Sequence, residues 1–264
     1  MKEDFVSRFV NQRVIITGAA AGLGQVIATS FAREGADIAV LDFQRADQTR
    51  ELVEKEGRRC QVFHCDVRDE HAVEEGVSAA ARFFDGRVDV LVNNAGFNGH
   101  YNLVKDMPLA QWRETLDINL TGTMLVTRAV LPLMIAAKRG TIVTTASNVA
   151  RRGLPLRADY VCSKWALLGL TQTLALENAE HGIRVNAVCP GPVEGDRIED
   201  VMAHHAQKEG KSIAQVRREW ESAAPMNRFV TPQEVANTML FLASPDSSAM
   251  TGQALNVTGG FLMT

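Results

Sequence analysis

Short apolar runs alternate with longer amphipathic segments along the whole chain. Seven runs have the composition of strands, and several are apolar throughout, as is typical of strands covered on both faces of a parallel sheet. The predicted strands are 13–17, 37–42, 60–65, 88–93, 141–146, 183–189 and 254–257. The predicted helices are 23–34, 47–56, 69–84, 108–138 (as two helices), 159–181 and 232–243. This alternation predicts an α/β fold: a doubly wound sheet of seven mostly parallel strands with helices on both faces.

Residues 192–230 interrupt this alternation. They are polar and charged and carry no strand pattern, so we interpret them as a mobile helical lid. No repeat, low-complexity tract or change in composition marks a second domain, and we therefore expect one domain over 1–264 with the lid inside it. The next helix has a clear start, because Thr231, Pro232 and Glu234 supply an N-cap, a first-turn proline and a capping-box carboxylate.

Composition and charge narrow the class of protein. With 264 residues, 46% hydrophobic residues, 22% charged residues and a net charge of −3, the chain has the profile of an ordinary globular protein. The charge gives no general attraction to nucleic acid or anionic lipid, and we expect neither as a partner. The most apolar stretch, 124–137, is interrupted by Thr127, Arg128 and Pro132, and it is shorter than the ~18 residues of a membrane span.

The cysteines and the N-terminus suggest a reducing compartment and no metal. The four cysteines, Cys60, Cys65, Cys162 and Cys189, form no CxxC pair and no Cys/His cluster. We interpret them as small core residues with reduced thiols. The first 13 residues have no apolar core and no cleavage site of a signal peptide. The expected location is therefore the cytoplasm.

A glycine-rich turn follows the first predicted strand directly. Gly18, Gly22 and Gly24, with Leu23 between the last two, lie between that strand and an amphipathic helix. Glycines in this context let the backbone approach a pyrophosphate, whose charge the N-terminus of the helix stabilises. Many loops are rich in glycine, and it is the strand before and the helix after that indicate a dinucleotide site here.

An acidic residue stands at the end of the second predicted strand. Asp42 comes 18 residues after Gly24, where a carboxylate would accept hydrogen bonds from the ribose hydroxyls of the cofactor. It would also repel a 2′-phosphate, and Ala21 offers no cation in the turn. Arg45 is the one nearby argument for NADP, and an ordinary solvated carboxylate is the alternative for Asp42. The expected cofactor is NAD.

Several motifs together resemble one family. They are TGAAAGLG (17–24), NNAG (93–96), Asn119, Ser147, YVCSK (160–164) and Pro190-Gly191. In this order and at these spacings they resemble the short-chain dehydrogenase/reductase family in its single-domain branch, and the likeness covers residues 13–260. The resemblance implies a Rossmann-type fold and a nicotinamide cofactor. It departs at Glu194, shortly after Gly191, where the family commonly has a threonine that helps to hold the cofactor.

The resemblance also implies roles for particular residues. Tyr160 would be the catalytic acid/base, Lys164 its electrostatic partner and a ribose ligand, Ser147 the donor to the substrate oxygen, and Asn119 the anchor of a proton-relay water. Asn93 would tie neighbouring strands together beside the cofactor, and Asp66 and Val67 would contact adenine. The full set expected at the cofactor is Gly18, Gly22, Leu23, Gly24, Asp42, Asp66, Val67, Asn93, Ala95, Gly96, Tyr160, Lys164, Pro190, Gly191 and Val193.

The chemistry of alcohol oxidation explains why tyrosine and lysine are paired. They are four residues apart on a predicted helix and so lie on one face. A free tyrosine, with a pKa of about 10, is a poor base near neutrality. A shift of three units takes about 4 kcal/mol, comparable to a unit charge at ~4 Å in an effective dielectric of ~20, which Lys164 would supply. Taken singly, the pair would be an ordinary surface pair.

The loops that would line the substrate pocket are rich in hydrogen-bonding groups. They contain Asn98, Asn148, Arg157 and Arg197, and either arginine is suited to bind a carboxylate, sulfonate or phosphate. The alternative for Arg157 is a pair with Asp159 or with a neighbouring subunit. His100 is interpreted as a loop hydrogen-bonding residue rather than a catalyst.

The resulting expectation is an NAD-dependent dehydrogenase that acts on a secondary alcohol of a small polar molecule such as a polyol, a sugar or an anionic sugar derivative. The alternatives are a 3-oxoacyl-thioester reductase that uses NADPH and a non-catalytic nucleotide-binding protein. The resemblance further implies a homodimer or homotetramer, in which the long helices at 109–138 and 159–181 pack across subunits.

Overall fold

The computed structural model describes residues 7–264, and within them seven strands form one parallel sheet. The strands are β1 Arg13–Thr17, β2 Asp37–Asp42, β3 Cys60–His64, β4 Val90–Asn93, β5 Gly140–Thr145, β6 Ile183–Pro190 and β7 Ala254–Val257. Their order across the sheet is β3-β2-β1-β4-β5-β6-β7, and every neighbouring pair is parallel. The predicted seven-stranded doubly wound fold is confirmed.

Nine α-helices are found in the described part of the chain. They are α1 Gly22–Arg33, α2 Asp47–Lys55, α3 Glu70–Phe83, α4 Leu109–Leu116, α5 Gly122–Ala137, α6 Ala158–Asn178, α7 Asp196–Glu209, α8 Ile213–Ser222 and α9 Pro232–Ala243. The two helices predicted in 108–138 are not separated by a loop. A π-helical turn, Asp117–Thr121, joins α4 and α5 into one continuous helix.

The strands are apolar throughout because both faces of the sheet are covered. In β1, Val14 and Ile16 point into a core formed with α1 and α9, whereas Ile15 points into a second core formed with α3 and α5. Successive side chains of a strand face opposite sides of a sheet, so an uninterrupted apolar strand needs helices on both sides.

The strand order determines where a ligand can bind. β1 lies between β2 and β4, and the chain builds one half of the sheet outward from β1 and the other half outward from β4. At such a switch point the loops after the two central strands diverge and leave a crevice outside the carboxyl ends of the strands. The glycine-rich turn after β1 and the NNAG segment at the end of β4 both lie there.

The segment 192–230 is held together by contacts of its own. It contains α7 and α8, whose buried residues Met202, Ala206 and Val216 form with Phe229 an apolar cluster separate from the two main cores. Its two ends meet in a parallel bridge between Val193 and Val230. That the segment moves as a lid stays a prediction.

The helix formed by α4 and α5 is longer than the apolar stretch 124–137. By length and composition alone, the continuous helix Leu109–Ala137 is long and apolar enough to cross a membrane, since it contains an 18-residue stretch of mean hydropathy 1.6. It packs on α3 and on the sheet, with Leu125 and Met134 in the second core, as a core helix of a globular protein does.

Of the cysteines, three are buried as expected, but Cys162 is exposed on α6. Residues 1–6 of the N-terminal segment lie outside the described residues.

Candidate active site

The glycine-rich turn has the geometry of an anion cradle. Gly18 and Gly22 have φ of +67° and +57°, and a Cβ on Gly18 would lie 2.6 Å from the Cα of Ala95. A Cβ on Gly24 would overlap the carbonyl oxygen of Gly18. Helix α1 begins at Gly22 without a side-chain cap, so the N–H groups of its first turn are available to a ligand. These residues fit a pyrophosphate.

Asp42 lies beside this turn and helps to hold it. Its side chain is 6% exposed, and Oδ2 accepts a hydrogen bond from the backbone N–H of Ala20 at 2.8 Å. Oδ1 accepts one from the N–H of Gln44 at 2.9 Å. Each carboxylate oxygen can accept a second bond, so Asp42 can still bind ribose hydroxyls. Arg45 points elsewhere: its side chain is 91% exposed and pairs with Asp47.

The pair expected at adenine follows β3. Arg68 donates from Nε and Nη2 to the carboxylate of Asp66, and this ion pair lowers the pKa of Asp66. Val67 is 8% exposed and packs against Gly122, where a Cβ would lie 2.7 Å from Cγ2 of Val67. The contact of this pair with adenine stays a prediction.

The expectation that Asn93 ties neighbouring strands together is wrong, and Asn94 does so instead. The Nδ2 of Asn93 donates to Oγ1 of Thr127 on α5, at 2.9 Å. Asn94, in contrast, donates from Nδ2 to the carbonyl of Gly18 at 2.7 Å and accepts from Oγ1 of Thr145 at 3.2 Å. It thereby connects the ends of β1, β4 and β5.

The remaining cofactor residues line the same edge of the sheet. The N–H of Ala95 donates to Oγ1 of Thr17 at 3.0 Å. Gly96 lies directly beside two of the predicted catalytic side chains: a Cβ there would be 3.3 Å from Oδ1 of Asn119 and 3.6 Å from Nζ of Lys164. Pro190 ends β6, and the N–H of Gly191 donates to the carbonyl of Val257 in β7. Val193 stands at the base of segment 192–230.

Lys164 is buried beneath this edge. It is 4% exposed, and its Nζ donates to the carbonyl oxygen of Thr145 at the end of β5, at 2.8 Å. Burial, followed by the nearby Arg197 cation, lowers the pKa of Lys164 to about 7. In the ligand-free protein the expected cation is therefore a group that titrates near neutrality.

Asn119 and Ser147 complete the set. Asn119 lies in the π-helical turn and is 1% exposed; its Nδ2 donates to Oγ of Ser163 and its Oδ1 accepts from the N–H of Phe97. Ser147 follows β5, and its Oγ donates to Oδ1 of Asn148 at 3.2 Å. The π-helical turn thus brings Asn119 against α6 and the loop after β4.

Tyr160 is half-buried in the first turn of α6. Its ring centroid lies 5.8 Å from Nζ of Lys164 and 5.0 Å from Cζ of Arg157. All four residues expected to be catalytic therefore sit on elements that meet at the carboxyl end of the sheet, next to the glycine-rich turn.

The two arginines expected at the substrate have different surroundings. Arg197 is exposed on α7, and its Nε and Nη2 donate to Oδ1 of Asn98, at 2.6 Å, and to the carbonyl of Gly96. Arg157 is 4% exposed and donates to the carbonyl of Asn98. Arg157 makes no ion pair with Asp159, whose Oδ2 accepts from Oγ1 of Thr115 at 2.7 Å.

Several residues of the site were not found from the sequence. Asn94 directly follows Asn93, the residue expected to tie the strands together. A shift of one position along a strand moves the side chain to the opposite face of the sheet. Thr17 and Ser163 lie inside the motifs 17–24 and 160–164, but nothing local indicated their roles, and Tyr101 had no local signal, because their contacts are with residues distant in sequence. His100, in the loop after β4, makes a hydrogen bond with Glu114 of α4, as expected of a loop hydrogen-bonding residue.

No group of three or more His, Cys, Asp or Glu side chains in the described part of the chain is arranged to hold a metal ion. The feature of this edge that indicates a cofactor is the anion cradle formed by the glycine-rich turn and the first turn of α1. A parallel sheet with that cradle and a Tyr/Lys pair beside it defines a nucleotide-dependent oxidoreductase of the Rossmann type.

Comparison with known proteins makes the class specific. The family model described as "Enoyl-(Acyl carrier protein) reductase" matches residues 18–262. The chain belongs to the short-chain dehydrogenase/reductase family.

Curated relatives carry different activities. The oxidoreductase UcpA of Salmonella typhimurium is 38% identical over 97% of this chain and 96% of its own. The galactitol 2-dehydrogenase of Agrobacterium fabrum is 36% identical over 97% of this chain and 100% of its own. The 3-oxoacyl-[acyl-carrier-protein] reductase FabG of Thermotoga maritima is 37% identical over 94% of this chain and 97% of its own.

Two solved structures represent both cofactors. An NAD+-bound xylitol dehydrogenase superimposes with a TM-score of 0.92 at 36% identity, covering 96% of this chain and 100% of the other. An actinorhodin polyketide ketoreductase with NADPH has a TM-score of 0.91 at 35% identity, covering 95% of this chain and 97% of the other. The family is shared, and the cofactor and substrate differ among its members.

Proposed function

We propose that the protein is an NAD-dependent oxidoreductase that moves a hydride between nicotinamide and the secondary alcohol or ketone of a small polar substrate. The observation that carries the proposal is the convergence of Tyr160, Lys164, Ser147 and Asn119 beside an anion cradle at one edge of the sheet. Tyr160 acts as the acid/base, and the substrate is a polyol, a sugar or an anionic sugar derivative.

The residues divide the work of the reaction. The bound nicotinamide supplies the hydride acceptor. Tyr160 takes the hydroxyl proton of the substrate, and Ser147 donates a hydrogen bond to the oxygen on which charge changes. Tyr160 must be deprotonated to accept this proton, and the Lys164 cation stabilises that tyrosinate form. Asn119, held by Ser163 and Phe97, has one fixed orientation beneath them.

The environment of Asp42 supports NAD. A buried carboxylate at the ribose position would lie against a 2′-phosphate, and like charges in a poorly solvated site repel strongly. Arg45, the nearby cation, is exposed and paired with Asp47. The NAD+-bound xylitol dehydrogenase is consistent with this choice, and the ketoreductase with NADPH is the counterexample in the family.

The groups around the crevice support a polar substrate. The amide of Asn148 accepts a hydrogen bond from Ser147, and that of Asn98 accepts one from Arg197, which is exposed on α7. The amides are suited to hydroxyls, and Arg197 is suited to a carboxylate or phosphate. The galactitol and xylitol dehydrogenases among the relatives fit the same class of substrate.

A second candidate is a 3-oxoacyl-thioester reductase. The FabG relative and the description of the matching family model favour it. Exposed Leu103 and Val104, in the loop after β4, and Met226, after α8, would suit an acyl chain. Asp42 argues against this candidate, because a carboxylate at the ribose disfavours binding of NADPH.

The experiment is a panel of polyols, sugars and sugar acids with NAD and NADP, followed by NADH or NADPH absorbance, beside a 3-oxoacyl thioester with NADPH. We expect turnover of a polyol or sugar with NAD, and an anionic substrate whose KM rises in Arg197→Ala while its neutral analogue is unaffected. Turnover of the thioester alone would establish the second candidate.

We further propose a homodimer or homotetramer in the cytoplasm. Large apolar side chains are exposed on the helices expected at the interface: Leu109 and Met124 on α4 and α5, and Trp165 and Leu176 on α6. Exposed apolar groups on neighbouring helices are typical of a face that another subunit covers.

A further inference from the structure

Both tyrosines of the chain lie against one arginine. The sequence contains two tyrosines, Tyr101 in the loop after β4 and Tyr160 in α6. Cζ of Arg157 is 4.3 Å from the ring centroid of Tyr101 and 5.0 Å from that of Tyr160. A planar guanidinium can stack on aromatic faces and is more weakly hydrated than the compact ammonium of lysine, so arginine is the cation suited to a buried place between two rings.

Arg157 is placed there at a cost in stability. It is 4% exposed, it makes no ion pair within residues 7–264, and its Nε is buried without a hydrogen-bond partner. A buried cation without a carboxylate is unfavourable for folding. Its position against Tyr160 is better explained by a function than by stability.

The partners of Arg157 are themselves contacted by α7. Asn98, whose carbonyl accepts from Arg157, accepts with its side chain from Nε of Arg197 at 2.6 Å. Tyr101 stacks on His204, with ring centroids 4.1 Å apart. Arg197 and His204 both belong to α7, so two contacts from this helix converge on Arg157 through two residues of one loop.

We propose that Arg157 is a positioning residue: it holds the ring of Tyr160 and links the placement of that ring to the docking of α7 on Asn98 and Tyr101. The proposal rests on the proposed function, in which Tyr160 is the acid/base. When α7 is docked, Asn98 and Tyr101 are fixed, Arg157 is fixed by them, and the hydroxyl of Tyr160 is held for proton transfer. A displacement of about 1 Å in such a group can cost about 100-fold in rate.

The kinetic test uses Arg157→Lys and Arg157→Met. We expect kcat to fall by about 10- to 100-fold in both variants, because neither side chain offers a planar guanidinium that stacks on the rings and bonds the carbonyl of Asn98. The Kd of NADH and the KM of the alcohol stay close to those of the wild type, and the melting temperature does not fall, since a buried cation without a carboxylate does not stabilise the fold. The matched control is Arg59→Lys, since Arg59 also lies over a ring, that of Phe83, at 5.1 Å, far from the crevice.

Two kinetic results would overturn the proposal. One is a kcat within twofold of the wild type in both variants. The other is a loss of kcat that only parallels losses of NADH binding and melting temperature, as a merely structural residue would produce. A normal kcat in Arg157→Lys with a low kcat in Arg157→Met would show that only the positive charge of Arg157 matters. That result would contradict the proposal that Arg157 positions the ring of Tyr160.

A second readout needs no turnover. With tyrosine labelled at 13Cζ, the protein gives two tyrosine resonances, assigned by Tyr101→Phe. We expect the Tyr160 resonance to move in Arg157→Lys and also in Arg197→Ala. Because the Arg197 cation also lies near Lys164, the effect carried through Asn98 and Arg157 is the part of the Arg197→Ala shift that disappears when Arg197→Ala is made in the Arg157→Lys background. The control is Arg217→Ala, because Arg217 of α8 pairs with Glu199 and Glu221 within the segment 192–230.

The tyrosine resonances and the turnover assay together distinguish a failure of the positioning role of Arg157 from a failure of the proposed function. A Tyr160 resonance that is unchanged in Arg197→Ala, or that moves equally in the wild-type and Arg157→Lys backgrounds, would disprove the link to α7. If the resonances move as expected but the wild type turns over no alcohol, ketone or thioester in the panel, the proposed function fails and the contact network stands.

Discussion

At the scale of single residues, the proposed reaction depends most directly on one hydroxyl. We predict that Tyr160→Phe abolishes turnover and leaves NADH binding near normal, because the ring keeps its contacts with Arg157 while the group that moves the proton is lost. Steady-state kinetics and NADH fluorescence titration measure the two quantities. Substantial residual activity would remove Tyr160 from the mechanism.

Lys164 makes the stability of the ligand-free protein depend on pH. Burial lowers the pKa of Lys164 to about 7 from an ordinary value of 10.5. Between these pH values the unfolded chain binds the proton and the folded chain does not, so the unfolding free energy rises with pH by up to about 1.4 kcal/mol per unit, and this contribution is lost as the pH falls to 7.

We therefore predict that the stability of Lys164→Met, relative to the wild type, decreases between pH 7.5 and 9.5, by as much as roughly 3 kcal/mol over the two units. Urea unfolding at both pH values measures it, and Lys138→Met, at the exposed end of α5, is the control. A difference that does not change with pH would show that Lys164 remains charged in the fold.

Asp42 combines two tasks that substitution can separate. Asp42→Ala loses charge-assisted bonds of ~1.5–3 kcal/mol each and also the acceptor for Ala20 that holds the turn. We predict NAD binding weaker by one or two powers of ten and a relaxed preference over NADP, measured by titration with both cofactors. Asp42→Asn keeps an oxygen acceptor for the turn, so it should lose preference with a smaller loss of affinity. An unchanged preference in both variants would place the specificity elsewhere.

At the scale of elements, the segment 192–230 is stabilised separately from the sheet. Met202 is fully buried in its cluster, and truncation to alanine removes ~2–5 kcal/mol of packing. We predict that Met202→Ala raises hydrogen exchange only within 192–230, measured by mass spectrometry. Met239→Ala is the matched control, because Met239 is equally buried but belongs to the first main core, and it should lower stability throughout. Uniform exchange in Met202→Ala would show that the segment is not a separate unit.

At the scale of the whole molecule, the exposed apolar residues of α6 bear on assembly. Trp165 is 50% exposed and Leu176 is 84% exposed. We predict a dimer or tetramer by light scattering at micromolar concentration, and a smaller species for Leu176→Glu. Val10→Glu, at a position that is 55% exposed on the N-terminal side of β1, is the control. A monomeric wild type would contradict the assembly.

Much of the fold followed from short-range signals. The apolar strands, the glycine-rich turn and the capping box at Thr231 and Glu234 are confirmed where they were predicted. Each depends on residues within a few positions of one another, through alternating side-chain direction, positive φ or a local hydrogen bond. The family resemblance added the set of Tyr160, Lys164, Ser147 and Asn119, which the structure brings to one edge.

Other features required the tertiary structure. Asn93 and Asn94 are indistinguishable by composition, and only the pairing of β4 with β1 and β5 decides which side chain ties the strands together. Arg157 was a candidate anion ligand in the sequence, and its contacts with Tyr101 and with Asn98, 59 residues away, were decided by the packing of α6 against the loop after β4. The sequence by itself thus determined the elements and the chemistry they carry, because those signals are local. The partners of each polar group were decided only in the folded chain, because they depend on which distant segments meet.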